Sequence, residues 1–143
     1  MPEFLLNVLG PPRIERADGS PLGSLSPSSA GLLAYLSLQP KAVARDHLAR
    51  LFWPRAESPK ARHSLRQLLS RLRARFPGLI VTLGEQVGVD ASRLEVDVHR
   101  FEREIRERRV QSALGLWRGP VMEGWGWPES WEMEDWIDRE RTR

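Results

Sequence analysis

The chain has 143 residues, 41% hydrophobic and 29% charged, which is the balance of a globular protein with one full core and part of a second unit. It has no cysteine, so disulfide frameworks and thiolate metal sites are excluded, and no apolar run approaches the ~20 residues of a helical membrane span. With no basic start of a signal peptide either, the expected location is cytoplasmic.

The net charge of +3 hides an asymmetry. From Arg55 to Arg75 six arginines and one lysine face a single acid, Glu57, for a local charge of +6. From Glu95 to Arg143 nine arginines face twelve carboxylates, for −3, and between Gly119 and Asp138 every charged residue is acidic. A local basic element is the electrostatic footprint of a polyanion partner.

Taken in order, Phe4 to Leu9 is a short apolar run closed by Gly10-Pro11-Pro12, which predicts a strand. Arg13 to Arg16 alternates, and Ala17-Asp18-Gly19-Ser20 is a turn signal, so a small antiparallel sheet is expected. Ser26-Pro27 opens a helix with a capping hydroxyl and a first-turn proline, Leu32, Leu33, Leu36 and Tyr35 inward, and Gln39-Pro40 ends it. Arg45 to Phe52 is a second helix, stopped by Trp53-Pro54. After a loop, Ser58-Pro59 repeats the Ser cap and early Pro, and a long basic helix runs to Phe76. Leu79 to Leu83 and Val87 to Val89 flank a Gly-containing turn and predict a hairpin.

The basic helix carries the functional signal. At ~100° per residue, Ala61, Leu65, Leu68, Leu69, Leu72 and Phe76 fall on one stripe. His63, Gln67, Ser70 and Ala74 point the opposite way. Arg62, Arg66 and Arg73 line one flank, and Lys60, Arg71 and Arg75 the other. A helix entering the major groove needs this layout, because phosphates approach from both sides and base edges meet the outer ridge. The order of sheet, three helices and hairpin is that of the winged-helix variant of helix-turn-helix.

The run Leu48 to Pro54, LARLFWP, followed by Ala61 to Arg73, ARHSLRQLLSRLR, resembles the OmpR/PhoB-type winged helix. More closely it resembles the start of SARP-type bacterial transcription activators, whose strand ending in Leu-Gly is matched by Leu9-Gly10. Val96 to Phe101 and Ala113 to Gly119 resemble the opening of the bacterial transcriptional activator domain, an all-helical, tetratricopeptide-like array. The resemblance implies an α+β winged helix over residues 1–94 (N-terminal antiparallel sheet, three helices, C-terminal β-hairpin wing). An all-α, TPR-like segment over 95–143 follows, read as the cut-short start of the second domain. It further implies direct-repeat promoter DNA, side-by-side copies on that DNA, and recruitment of RNA polymerase. Two departures stand out. Ala44 replaces the Ser that caps the second helix, and the hairpin has Glu85 at its tip with no Arg or Lys from Leu79 to Ser92.

The expected phosphate contacts are Lys60, Arg62, Arg66, Arg71 and Arg73, and the expected base contacts His63, Gln67 and Ser70, with Arg66 able to reach inward. The resemblance assigns Trp53, with Arg55 and Glu57, to a loop that meets polymerase; from the residues alone, Trp53 reads rather as an aromatic plug beneath that loop. Trp117, Trp125, Trp127, Trp131 and Trp136 form a tryptophan-rich stretch, read either as a docking site or as closure of the helical domain's core. No nucleotide, cofactor, catalytic or metal motif is present, and the acidic set Glu129, Glu132, Glu134 and Asp135 reads as a solvated helix face. The chain is expected to be no enzyme and to need no cofactor or small-molecule ligand. The alternative to a DNA-binding regulator is a protein-interaction module whose basic helix is covered by the acidic C-terminal stretch or by another protein.

Overall fold

The computed structural model describes residues 2–20 and 22–142. The fold is mixed α+β, with six helices and two small three-stranded sheets among the described residues. β1 (Phe4–Asn7) pairs antiparallel with β2 (Arg13–Arg16), and Phe4, Leu6 and Ile14 are buried. After β2 the Asp18 carboxylate accepts from the Ser20 backbone N–H and hydroxyl, closing the expected turn and lowering its pKa.

α1 (Pro27–Leu38) starts as expected, with the Ser26 hydroxyl accepting from the Ser29 N–H. Every residue from Ser29 to Ser37 is buried, so α1 is a central helix surrounded on all sides rather than a surface helix with one apolar stripe. α2 (Arg45–Phe52) has Ala44 at its N-cap with no side-chain cap, as the missing Ser implies. Its loss is offset by β3 (Val43–Ala44), a short strand on the hairpin that sequence periodicity does not reveal. The Arg45 N–H there donates to the Glu85 carbonyl at 2.8 Å.

α3 (Ser58–Arg75) buries Ala61, Leu65, Leu68, Leu69 and Leu72, and Phe76 at its C-cap is 0% exposed. Each such side chain contributes about 1.5–3 kcal/mol relative to exposure. One expectation fails here: the N-cap is Glu57, Ser58 is the first helical residue, and no side chain caps the helix. The early Pro59 has no N–H to satisfy, and the Glu57 carboxylate sits at the positive end of the helix dipole, so the start is supported without the Ser.

β4 (Ile80–Leu83) and β5 (Gln86–Val89) form the expected hairpin around Gly84-Glu85, with Leu83 opposite Gln86. The second sheet runs β3-β5-β4. A strand absent from the sequence reading follows: β6 (Leu94–Val96) pairs in parallel with β1, so the N-terminal sheet is mixed rather than antiparallel, in the order β2-β1-β6. Three residues between a turn and a helix carry too little pattern to announce a strand; the partner strand supplies the reason. The position where the sequence suggests a division, residue 94, lies inside β6.

α4 (Asp97–Arg106) and α5 (Val110–Leu116) form a helical pair, and an irregular stretch leads to α6 (Trp131–Arg141), capped by the Ser130 hydroxyl. Arg143 lies outside the described residues. Two buried bonds lock α4 to β1: the Asp97 carboxylate accepts from the Val8 and Leu9 N–H groups at 2.9 Å each. Gly10, at φ +122°, then lets the chain pass against Arg118, whose Cβ lies 3.0 Å from where a Gly10 Cβ would stand. Val121, Met122, Trp125, Met133, Trp136 and Ile137 belong to the same core cluster as α1, α2 and α3.

The Trp125 side chain reaches α1, its indole N–H donating to the Pro27 carbonyl at 2.8 Å. Its ring lies against Gly31, where a Cβ would stand 2.5 Å from the Trp125 Cζ2 atom. Replacing Gly by Ala in a helix ordinarily stabilises by about 1 kcal/mol. Here Gly31→Ala is expected to reverse that sign, destabilising by about 1–3 kcal/mol from overpacking, read as a lower urea midpoint.

Candidate nucleic-acid interface

The apolar stripe of α3 is spent on the core, and this orients everything else on the helix. Lys60, Arg62, His63, Arg66, Gln67, Ser70, Arg71 and Arg73 are all exposed. None of the five cations in that group makes an ion pair among the described residues. α3 contains six cations and no acid. The helix therefore presents five unneutralised charges around an outer ridge of His63, Gln67 and Ser70.

The sixth cation, Arg75, does not join its flank. Its guanidinium donates to the Leu22 and Ser24 carbonyls and lies 5.2 Å from the Phe76 ring centroid. It clasps the segment before α1 to the end of α3. Loop carbonyls with few other donors nearby attract a guanidinium that sequence periodicity can only assign to a helix flank.

Arg50, on α2, is a cation that the sequence reading passes over. It lines an open recess of about 350 Å³ with Asp46, Trp53, Ser58 and Arg62, at the mouth of the α2–α3 turn. Its own contact is local, Nε to the Asp46 carbonyl at 3.4 Å. Its signal in the sequence is an Arg on the polar side of α2, but only the α2–α3 crossing places it beside Arg62.

Of the loop residues assigned by resemblance to polymerase, Arg55 and Glu57 are exposed. Trp53 is half-buried, with its ring centroid 5.9 Å from that of Phe52 and 6.2 Å from that of Trp127. It is an aromatic plug that leaves one edge at the surface. The hairpin tip carries exposed Leu83 and Glu85, so the cationic surface stops at α3.

The tryptophan-rich stretch does not form one cluster. Trp127 donates its indole N–H to the Phe52 carbonyl at 2.6 Å, and Trp136 meets Tyr35 edge-on at 5.0 Å. Together with Trp125 these rings close the core against α1 and α2, not the interior of a separate helical domain as expected. The reason is geometric: α1 and α2 offer accepting carbonyls at Pro27 and Phe52 and aromatic rings at Tyr35 and Phe52. Trp117, 49% exposed, meets Phe101 at a tilt of 48° with ring centroids 6.4 Å apart, and Trp131 is 78% exposed. The acidic C-terminal stretch is thus held on α1 and α2, and Glu134 of the acidic set accepts from the Trp127 N–H at 2.7 Å.

No protein-family model matches the chain, and no curated protein matches it. The solved structure of Mycobacterium tuberculosis EmbR in complex with a low-affinity phosphopeptide shares its fold, with a TM-score of 0.76 at 21% identity. The match covers 97% of this chain and 42% of EmbR, so the chain spans less than half of that protein's length. No helix among the described residues is long and apolar enough to cross a membrane.

Proposed function

We propose that this chain is the DNA-binding part, with the adjoining helical segment, of a SARP-type transcriptional regulator. Residues 1–94 act as a winged helix that inserts α3 into the major groove, and residues 95–143 form the start of a tetratricopeptide-like array braced against it. One observation carries the reading: α3 is buried on its Leu stripe, while Lys60, Arg62, Arg66, Arg71 and Arg73 are open and unpaired. The shared fold with EmbR over nearly the whole chain supports it. So does the position of the acidic C-terminal stretch on α1 and α2, since one form of the interaction-module alternative puts that stretch over the basic face.

In this reading the two cationic flanks, with Arg50 beside Arg62, grip phosphates on either side of the groove. Gln67 and Arg66 have the donor geometry for adenine and guanine edges, and His63 and Ser70 complete the ridge. Half-buried Trp53, which lines the same recess as Arg50 and Arg62, and the exposed loop residues Arg55 and Glu57 beside it are left for RNA polymerase. The acidic hairpin tip repels phosphate, so α3 supplies most of the grip.

Binding to promoter DNA from the protein's own gene cluster is the test. If the five α3 cations each meet a phosphate, the slope of log K against log salt is expected near −4 to −5, at ~0.9 per contact. No shift, or a shift indifferent to salt, overturns the proposal.

A further inference from the structure

Among the described residues, four of the six exposed large hydrophobic side chains lie on α4, on α5 or at its C-cap: Ile105, Val110, Leu114 and Trp117. The count matters because single exposed apolar residues are ordinary, whereas a row of them marks a contact surface. Val110, Leu114 and Trp117 follow at i, i+4 and i+7, one stripe running along α5 into its C-cap. Ile105 stands near the end of α4, just before the turn. On α4 and in that turn, Arg100, Arg106 and Arg108 are exposed and make no ion pair among the described residues.

α6 carries the opposite chemistry at the same spacing. Met133, Trp136 and Ile137 face the core. Trp131, Asp135 and Asp138, again at i, i+4 and i+7, lie on its outer side, and Glu129 and Glu132 flank the ring. Among the described residues, only Asp138 of these has an ion-pair partner, Arg141 at 3.4 Å on the same helix. One surface is apolar with more cations than carboxylates around it, its exposed acids being Glu102 and Glu107, the latter paired with Arg109; the other is acidic with a single large ring to bury.

We propose that these are the two halves of one contact made between copies of this chain. The α6 ridge of one copy docks on the α4–α5 face of the next, with Trp131 among Val110, Leu114 and Trp117 and the carboxylates toward Arg106 and Arg108. A second copy is the fitting occupant because the complementary charge and the anchoring ring are on the chain itself. Trp and Arg are the side chains that most often dominate such contacts, and charge complementarity fixes the register. Since the two surfaces differ, the contact is heterologous: copies follow one another in the same sense, each leaving one surface free. On DNA this would set half-sites as direct repeats, a consequence that rests on the DNA reading above. The association itself does not, and is measured without DNA.

Sedimentation of the chain over a range of concentrations tests it. Self-association that weakens with added salt is expected, and Trp131→Ala and Leu114→Glu are each expected to weaken it at least about tenfold. Both positions are exposed, and circular dichroism checks that the variants remain folded; Arg106→Glu replaces Leu114→Glu if the latter does not. An equimolar mixture of the two variants should form a one-to-one dimer at near the original affinity, because one intact ridge then meets one intact face. A chain that stays monomeric overturns the proposal. So does a loss with Leu114→Glu but none with Trp131→Ala, or a mixture that fails to recover, since either means that the α4–α5 face pairs with something other than α6.

Discussion

Replacing Arg66 and Arg73 together by Glu is expected to reduce DNA affinity by at least about a hundredfold and to lower the salt slope by about two units. Each arginine contact is worth roughly 1–3 kcal/mol, and ~1.4 kcal/mol is tenfold, so two losses with added repulsion reach that range. Both side chains are exposed and unpaired, so the fold should not suffer. Equilibrium titration at three salt concentrations, with urea unfolding as the stability control, separates the two effects. Gln67→Ala should instead change the preference among base sequences while leaving the slope unchanged. Binding that survives the double reversal would remove α3 from the interface.

The largest effect on stability is expected at Asp97. Its carboxylate holds the Val8 and Leu9 N–H groups at 2.9 Å inside the protein, and no other acceptor replaces it in Asp97→Ala. A buried unsatisfied polar group costs about 1–3 kcal/mol, so the loss of both bonds should destabilise by about 2–5 kcal/mol. Asp97→Asn keeps one acceptor and should fall between. Burial pushes the Asp97 carboxyl above its ordinary range, against the pull of the Val8, Leu9 and Val98 N–H groups and the Arg118 charge. A carboxyl that holds its proton more tightly when folded contributes most below its unfolded pKa, and that contribution is lost as pH rises through the folded value. The stability gap between wild type and Asp97→Ala should therefore widen as pH falls from 7 toward 4. Urea midpoints across that span provide the measurement, and a gap that narrows in acid would contradict the assignment.

These two residues mark the limits of reading the chain by its pattern. A step of ~100° per residue puts Arg66 and Arg73 on an exposed flank, because a helix with five buried apolar side chains on one stripe has no freedom in where the rest point. The helices, the hairpin and the Ser26 cap follow from the same local rules: apolar period, proline, glycine and a hydroxyl at the right place. Asp97 could be read only as a residue at a helix start. That its carboxylate ties α4 to the end of β1 depends on two strands 90 residues apart coming together.

By itself, then, the sequence determined the first three helices and which side chains of α3 are exposed, since both depend on neighbours within a few residues. Tertiary structure alone decided the rest. β3 and β6 exist because partner strands lie beside two- and three-residue segments that could not stand alone. Arg75 leaves the cationic flank because loop carbonyls stand within its reach. Trp125, Trp127 and Trp136 turn toward α1 and α2 because the carbonyls and rings they need are there, 75 to 101 residues earlier in the chain. Long-range pairing of this kind leaves no period in the sequence, which is why the basic face could be read in advance but the surfaces that leave it open could not.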